Sequence, residues 1–138
     1  MQDNKLSILV VEDHPFQLIA AQMHLNRLGF FRLTPALDAS EAREECARRS
    51  GPFDLLLCDI NLPGTDGVEL AIELAAAGRI RHAVLLSCRD DAELRTLQQS
   101  LKARGLPILA CLPKPLDQAA LMQALQGDEA FKLLEQAD

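Results

Sequence analysis

The chain has 138 residues, 49% of them hydrophobic, with a net charge of −6 and a pI near 5.0. That is one domain of ordinary size with enough apolar side chains for a sizeable core. Its 14 basic residues are dispersed, with Arg48-Arg49 the only adjacent pair, which argues against a nucleic-acid surface, and no apolar run reaches the ~20 residues of a membrane span.

No apolar signal region follows Met1-Gln2-Asp3-Asn4-Lys5, so export is not expected. Cysteines at 46, 58, 88 and 111 form no CxxC pair and no metal-ligand spacing with the three histidines. Cys58 and Cys111 sit inside apolar runs and read as small buried hydrophobes, and of the four structural cysteines Cys88 is the one to test for reactivity. A reduced, cytoplasmic setting fits this usage.

In chain order, a first strand is predicted over 6–11. Pro15 then suits a first helical turn, and Leu18, Ala21, Leu25 and Leu28 form an apolar stripe that ends before Gly29. Residues 31–37 carry Pro35, which points to an edge strand. Asp38 and Glu41 resemble a capping box opening a helix to about Arg49. After Ser50-Gly51-Pro52, Phe53 to Cys58 forms a near-continuous apolar strand, and Leu62-Pro63-Gly64-Thr65-Asp66-Gly67 is a loop of turn formers with Asp66 stabilising the turn.

A helix is predicted over 67–77 and a strand over 82–87. Asp90 caps a helix with Leu94, Leu97 and Leu101 on one face, stopped at Gly105. The last strand is 107–112, and Asp117 opens a final helix with Leu121, Met122 and Leu125. One domain spans 1–127; 128–138 is a tail, a further helical turn or the start of a linker. Strands alternating with helices imply an α/β parallel sheet with helices on both faces.

Four of the apolar runs end in polar residues: Glu12-Asp13, Asp59, Ser87 and Lys114. In a parallel sheet the carboxyl ends of the strands share one edge, where ligands bind. Three carboxylates brought together there need a counter-charge. Mg²⁺ answers that need, because it takes one or two carboxylates plus a phosphate oxygen. Glu12, Asp13 and Asp59 are therefore candidate metal ligands, joined by the backbone carbonyl of Asn61. A carboxylate can also act as a nucleophile and form an acyl phosphate. Asp59 is the candidate acceptor, with Ser87 and Lys114 able to hold phosphoryl oxygens.

These residues resemble the receiver domain of bacterial two-component response regulators over roughly residues 5–126. The matching features are Val11-Glu12-Asp13, Asp59 within D-I-N-L-P-G-T-D-G, the strand-end hydroxyl Ser87, and Lys114-Pro115. The resemblance implies a flavodoxin-like (CheY-like) five-stranded sheet of order 2-1-3-4-5 and phosphorylation of Asp59. It further implies Mg²⁺ on Asp13, Asp59 and the Asn61 carbonyl, Glu12 acting partly through water, and a Lys114–Pro115 bond that is commonly cis. The donor would be a histidine kinase or histidine phosphotransfer protein, and the chain would catalyse only its own phosphorylation and dephosphorylation. A homodimer through the face of the fourth helix, last strand and last helix is a further implication.

Departures from the family pattern bear on output. Receivers usually carry Tyr or Phe three residues before the lysine; here that residue is Cys111, and the chain has no Tyr or Trp. Cys88, larger than the usual Ala or Gly, narrows the approach to the site, and Arg89 stands where it can reach a phosphoryl group. The stretch before Lys114 is similar to receivers fused to cyclic-di-GMP phosphodiesterase domains. The alternative reading is a phosphorylation-independent receiver-like interaction module. A haloacid-dehalogenase-type phosphatase is disfavoured, because Asn61 stands where such enzymes need a second acid.

Overall fold

The computed structural model describes residues 4–126. Strands and helices alternate as β1 (Asn4–Val11), α1 (Pro15–Arg27), β2 (Phe30–Ala36), α2 (Ala39–Ala47), β3 (Phe53–Asp59), α3 (Gly67–Ala76), β4 (Ile80–Ser87), α4 (Asp91–Ala103), β5 (Ile108–Pro113) and α5 (Gln118–Gln126). The strands form a parallel five-stranded sheet of order β2-β1-β3-β4-β5. The α/β parallel sheet is the one the strand–helix alternation implies, and its flavodoxin-like order is the one implied by the resemblance to receiver domains. The expected boundary at 127 and the tail at 128–138 lie outside the described residues.

Side-chain alternation along each strand builds two cores. Leu9, Val11, Leu56, Cys58, Ala83 and Leu85 face α2, α3 and α4. Ile8, Val10, Leu55, Leu57, Val84 and Leu86 face α1 and α5. Burial on both faces explains why the central strands read as continuous apolar runs without polar alternation. Pro35 lies in β2, an edge strand where its missing N–H costs little, opposite Val10.

The helix starts follow the sequence with one difference. Asp90 and Glu93 form a reciprocal capping box on α4. At α2 the Asp38 carboxylate accepts from the Glu41 N–H, but Glu41 accepts from the Leu37 N–H one residue further out. Several ends also move. β1 starts at Asn4, where a pair with Phe30 prolongs it, and β4 starts at Ile80, which pairs with Phe53. α2 stops at Ala47, with Arg48 as its C-cap, and the Arg49 guanidinium donates to the Gly51 and Pro52 carbonyls of the following turn.

Candidate functional site

Glu12 follows β1, Asp59 ends β3, Ser87 ends β4 and Lys114 follows β5, so all reach the carboxyl edge of the sheet. Glu12, Asp13 and Asp59 each offer a carboxylate oxygen within 4.8 Å of the others. Glu12 and Asp59 are only 4% and 3% exposed, whereas Asp13 faces solvent. At that separation two like charges repel by roughly 3 kcal/mol in an environment of effective dielectric about 20. One ammonium answers two of the three: Lys114 Nζ lies 2.7 Å from Glu12 Oε1 and 2.7 Å from Asp59 Oδ2.

Burial pushes the Glu12 carboxyl above its ordinary pKa, against the lowering effect of its bond to Lys114. For Lys114, burial pulls downward but the bonds to Asp59 and Glu12 more than offset it, and the ammonium is held above its ordinary pKa. The cluster is short of positive charge, and its donor set is all oxygen on an open edge, with Asp13 exposed. It therefore fits a hard divalent cation such as Mg²⁺.

Backbone geometry fixes the acceptor candidate. Asp59 Oδ1 accepts the Asn61 N–H at 3.0 Å, and Asn61 and Asp66 form an isolated antiparallel bridge that closes the following loop. The Asp66 carboxylate, read from the sequence as stabilising the turn, accepts the Val68 N–H at 2.8 Å and caps α3. Gly67 N–H donates to the Ile60 carbonyl at 2.7 Å. A Cβ at Gly67 would collide with the Asp59 carbonyl oxygen and lie 2.8 Å from Ile60 Cα, so the close approach demands glycine. Lys114–Pro115 is cis.

Ser87 is wholly buried, and its Oγ accepts the Arg89 N–H at 3.2 Å. By alternation it shares a face with Ala83 and Leu85, on the α4 side of the sheet. The Arg89 side chain lines a groove along α4 with Glu93 and Thr96. His14 contributes its backbone N–H to Glu12 Oε2 at 3.2 Å, and its ring lies 6.1 Å from that of Phe16. His24 Nδ1 is buried without a hydrogen-bond partner. Cys46, Cys58 and Cys111 are buried and Cys88 is exposed; burial pushes the Cys111 thiol up to about 11.

The sequence reading missed two residues. The first is Gly67, read there only as a turn former. The second is Gln17, whose Oε1 accepts a third bond from Lys114 Nζ at 2.9 Å. A signal for it existed. Gln17 is the third residue of α1, where a capping-box Gln normally returns to the N-cap backbone. Yet α1 has no side-chain cap at His14.

A 2-1-3-4-5 parallel sheet with an acidic cluster and a paired lysine on its carboxyl edge defines a receiver module. Residues 8–126 match the response regulator receiver domain family, and the chain belongs to it. It is 34% identical over 116 residues to the cyclic di-GMP phosphodiesterase RocR of Pseudomonas aeruginosa, covering 81% of this chain and 28% of that protein. It is 34% identical over 126 residues to the virulence sensor protein BvgS of Bordetella pertussis, covering 87% of this chain and 10% of that protein. The chain thus spans only a small part of either relative. Among solved structures, a sensor protein from Polaromonas sp. JS666 superposes with a TM-score of 0.75 at 28% identity, covering 95% of this chain and 99% of that one.

Receiver domains are signalling modules that pair with histidine kinases in two-component systems, and the acidic cluster is typical of the family's phosphorylation site. Among the described residues no helix is long and apolar enough to cross a membrane.

Proposed function

We propose that this chain is a phosphoacceptor switch in which Asp59 receives a phosphoryl group from a phosphohistidine of a histidine kinase or phosphotransfer protein. In that step an Asp59 carboxylate oxygen attacks phosphorus, a P–O bond forms, the P–N bond breaks, and the imidazole leaves with its electron pair. The observation that carries the reading is the buried Asp59 carboxylate held 2.7 Å from Lys114 beside Glu12 and Asp13.

Lys114 steadies the nucleophile and then neutralises a phosphoryl oxygen, as phosphoryl transfer requires. The Ser87 hydroxyl, whose oxygen accepts the Arg89 N–H, has its own O–H to donate to a second phosphoryl oxygen. Glu12, Asp13, Asp59 and the Asn61 carbonyl are the residues that would hold Mg²⁺, which supplies charge neutralisation when bound. The chain turns over no separate substrate, and its product is its own phosphorylated state. The cytoplasm is the proposed compartment, in keeping with four free thiols.

For organisation, we propose a receiver over 1–127 with 128–138 as a C-terminal tail or the start of a linker. A cyclic-di-GMP phosphodiesterase is the favoured output, supported by the likeness to RocR. One observation favours a second reading. Cys111 replaces the aromatic residue that the family uses to couple the site to its output face, which suits a phosphorylation-independent interaction module. Incubation with acetyl phosphate and Mg²⁺, followed by intact mass, separates the two. The first reading expects one added phosphoryl group, lost in Asp59→Asn and with chelator. No mass gain together with no binding of beryllofluoride overturns it and favours the second.

A further inference from the structure

Lys114 has three N–H donors and no acceptor, and each donor is engaged, by Glu12 Oε1, Asp59 Oδ2 and Gln17 Oε1. These three partners are not equivalent. The two carboxylates make charge-assisted bonds of 2.7 Å, roughly twice as strong as the neutral kind. The Gln17 amide is neutral and sits at 2.9 Å. It is therefore the partner an arriving anion displaces first. Because lysine only donates, the amide oxygen must face it, which leaves both Nε2 hydrogens for water or for an incoming oxygen. Gln17 and Lys114 also border a cavity of about 360 Å³ walled largely by apolar groups such as Val10, Ala21 and Leu57. Because the bond lies at an exposed edge, water is the acceptor that competes with Gln17 for the third N–H.

We propose that Gln17 is a positioning residue for phosphoryl transfer: it holds the third N–H of Lys114 in place from α1 and yields that hydrogen to a phosphoryl oxygen. The inference rests on the phosphoacceptor reading of Asp59. With Gln17 in place the ammonium is fixed from three directions before any phosphodonor arrives. Without it, Lys114 keeps only its two carboxylates and must find its third direction during the reaction.

The test uses the full chain and the variants Gln17→Met, which keeps length but loses the acceptor, and Gln17→Glu, which keeps an acceptor oxygen and adds charge. Position 17 is solvent-exposed on α1, so Gln17→Met should keep the wild-type melting temperature. The first readout is the Lys114 ammonium signal in ¹H–¹⁵N spectra without phosphodonor. It should be sharp in the wild type and in Gln17→Glu, and broadened by faster proton exchange in Gln17→Met. The second is phosphoryl uptake from acetyl phosphate with Mg²⁺. Gln17→Met should be about fivefold slower, the worth of one ordinary hydrogen bond. Gln17→Glu should also be slow, because its charge repels the incoming group although the ammonium stays fixed.

An ammonium signal that does not respond to Gln17→Met, or equal uptake by that variant and an active wild type, overturns the role of Gln17. A wild type that takes up no phosphoryl group overturns instead the reading on which the role depends.

Discussion

The two edges of the sheet each carry a compact polar cluster, and their charge balance differs. At the amino edge, Asp54 Oδ2 accepts from the Ser7 N–H at 2.8 Å and from the Ser7 hydroxyl at 3.2 Å. Ser7 Oγ in turn accepts from the Asp54 N–H and from Arg49. The Arg49 guanidinium lies 4.1 Å over the Phe53 ring, and Arg81 Nε is 3.6 Å from Asp54. There the one carboxylate pairs with Arg81, a second guanidinium, that of Arg49, binds the Ser7 hydroxyl, and that hydroxyl uses its donor and both acceptor sites. At the carboxyl edge three carboxylates meet one ammonium. A cluster whose charges and hydrogen bonds are met within the chain pins β1 to β3 and has little left for a ligand. A cluster with surplus negative charge keeps a demand that a cation can meet.

The largest test of this contrast is Asp54→Ala. It strands the largely buried Ser7 N–H and should cost about 2 kcal/mol in urea denaturation, with no change in response to Mg²⁺. Asp59→Asn should act in the opposite direction: removing one of the crowded charges should stabilise the metal-free fold by about 1 kcal/mol. Mg²⁺ should raise the melting temperature of the wild type and not of this variant, because only a native state that binds the ion is stabilised by it. If Asp59→Asn instead destabilised as Asp54→Ala does, both clusters would be structural and the contrast would fail.

The smallest effect is in pH. Burial raises the Glu12 pKa, so the folded chain binds that proton more tightly than the unfolded chain. The Glu12 contribution is therefore fully present below the ordinary value of 4.5 and is lost as pH rises through the raised folded value. Denaturation in chelator over that window should show stability falling with pH more steeply in the wild type than in Glu12→Gln. Equal slopes would mean that Lys114 alone balances the cluster.

The residue order carries the α/β alternation because both signals are local. Apolar runs such as Leu55-Leu56-Leu57-Cys58 have strand length, and Asp90 and Asp117 mark helix starts through their own side chains. The candidate site was legible for the same reason. Glu12, Asp13, Asp59, Ser87 and Lys114 each end a run, and parallel strands bring such ends to one edge.

What only the tertiary structure decided are contacts that no spacing encodes. Gln17 and Lys114 are separated by 97 positions, and their bond exists because α1 and the end of β5 meet over the same edge. Gly67 reads as one more turn former until the Asp59 carbonyl is seen against it. The Ser7–Asp54 staple depends on the parallel pairing of β1 with β3. Periodicity is written along a chain because each turn or pleat repeats it. A long-range polar contact forms one pair at a time, so its partner becomes visible only when the chain has folded.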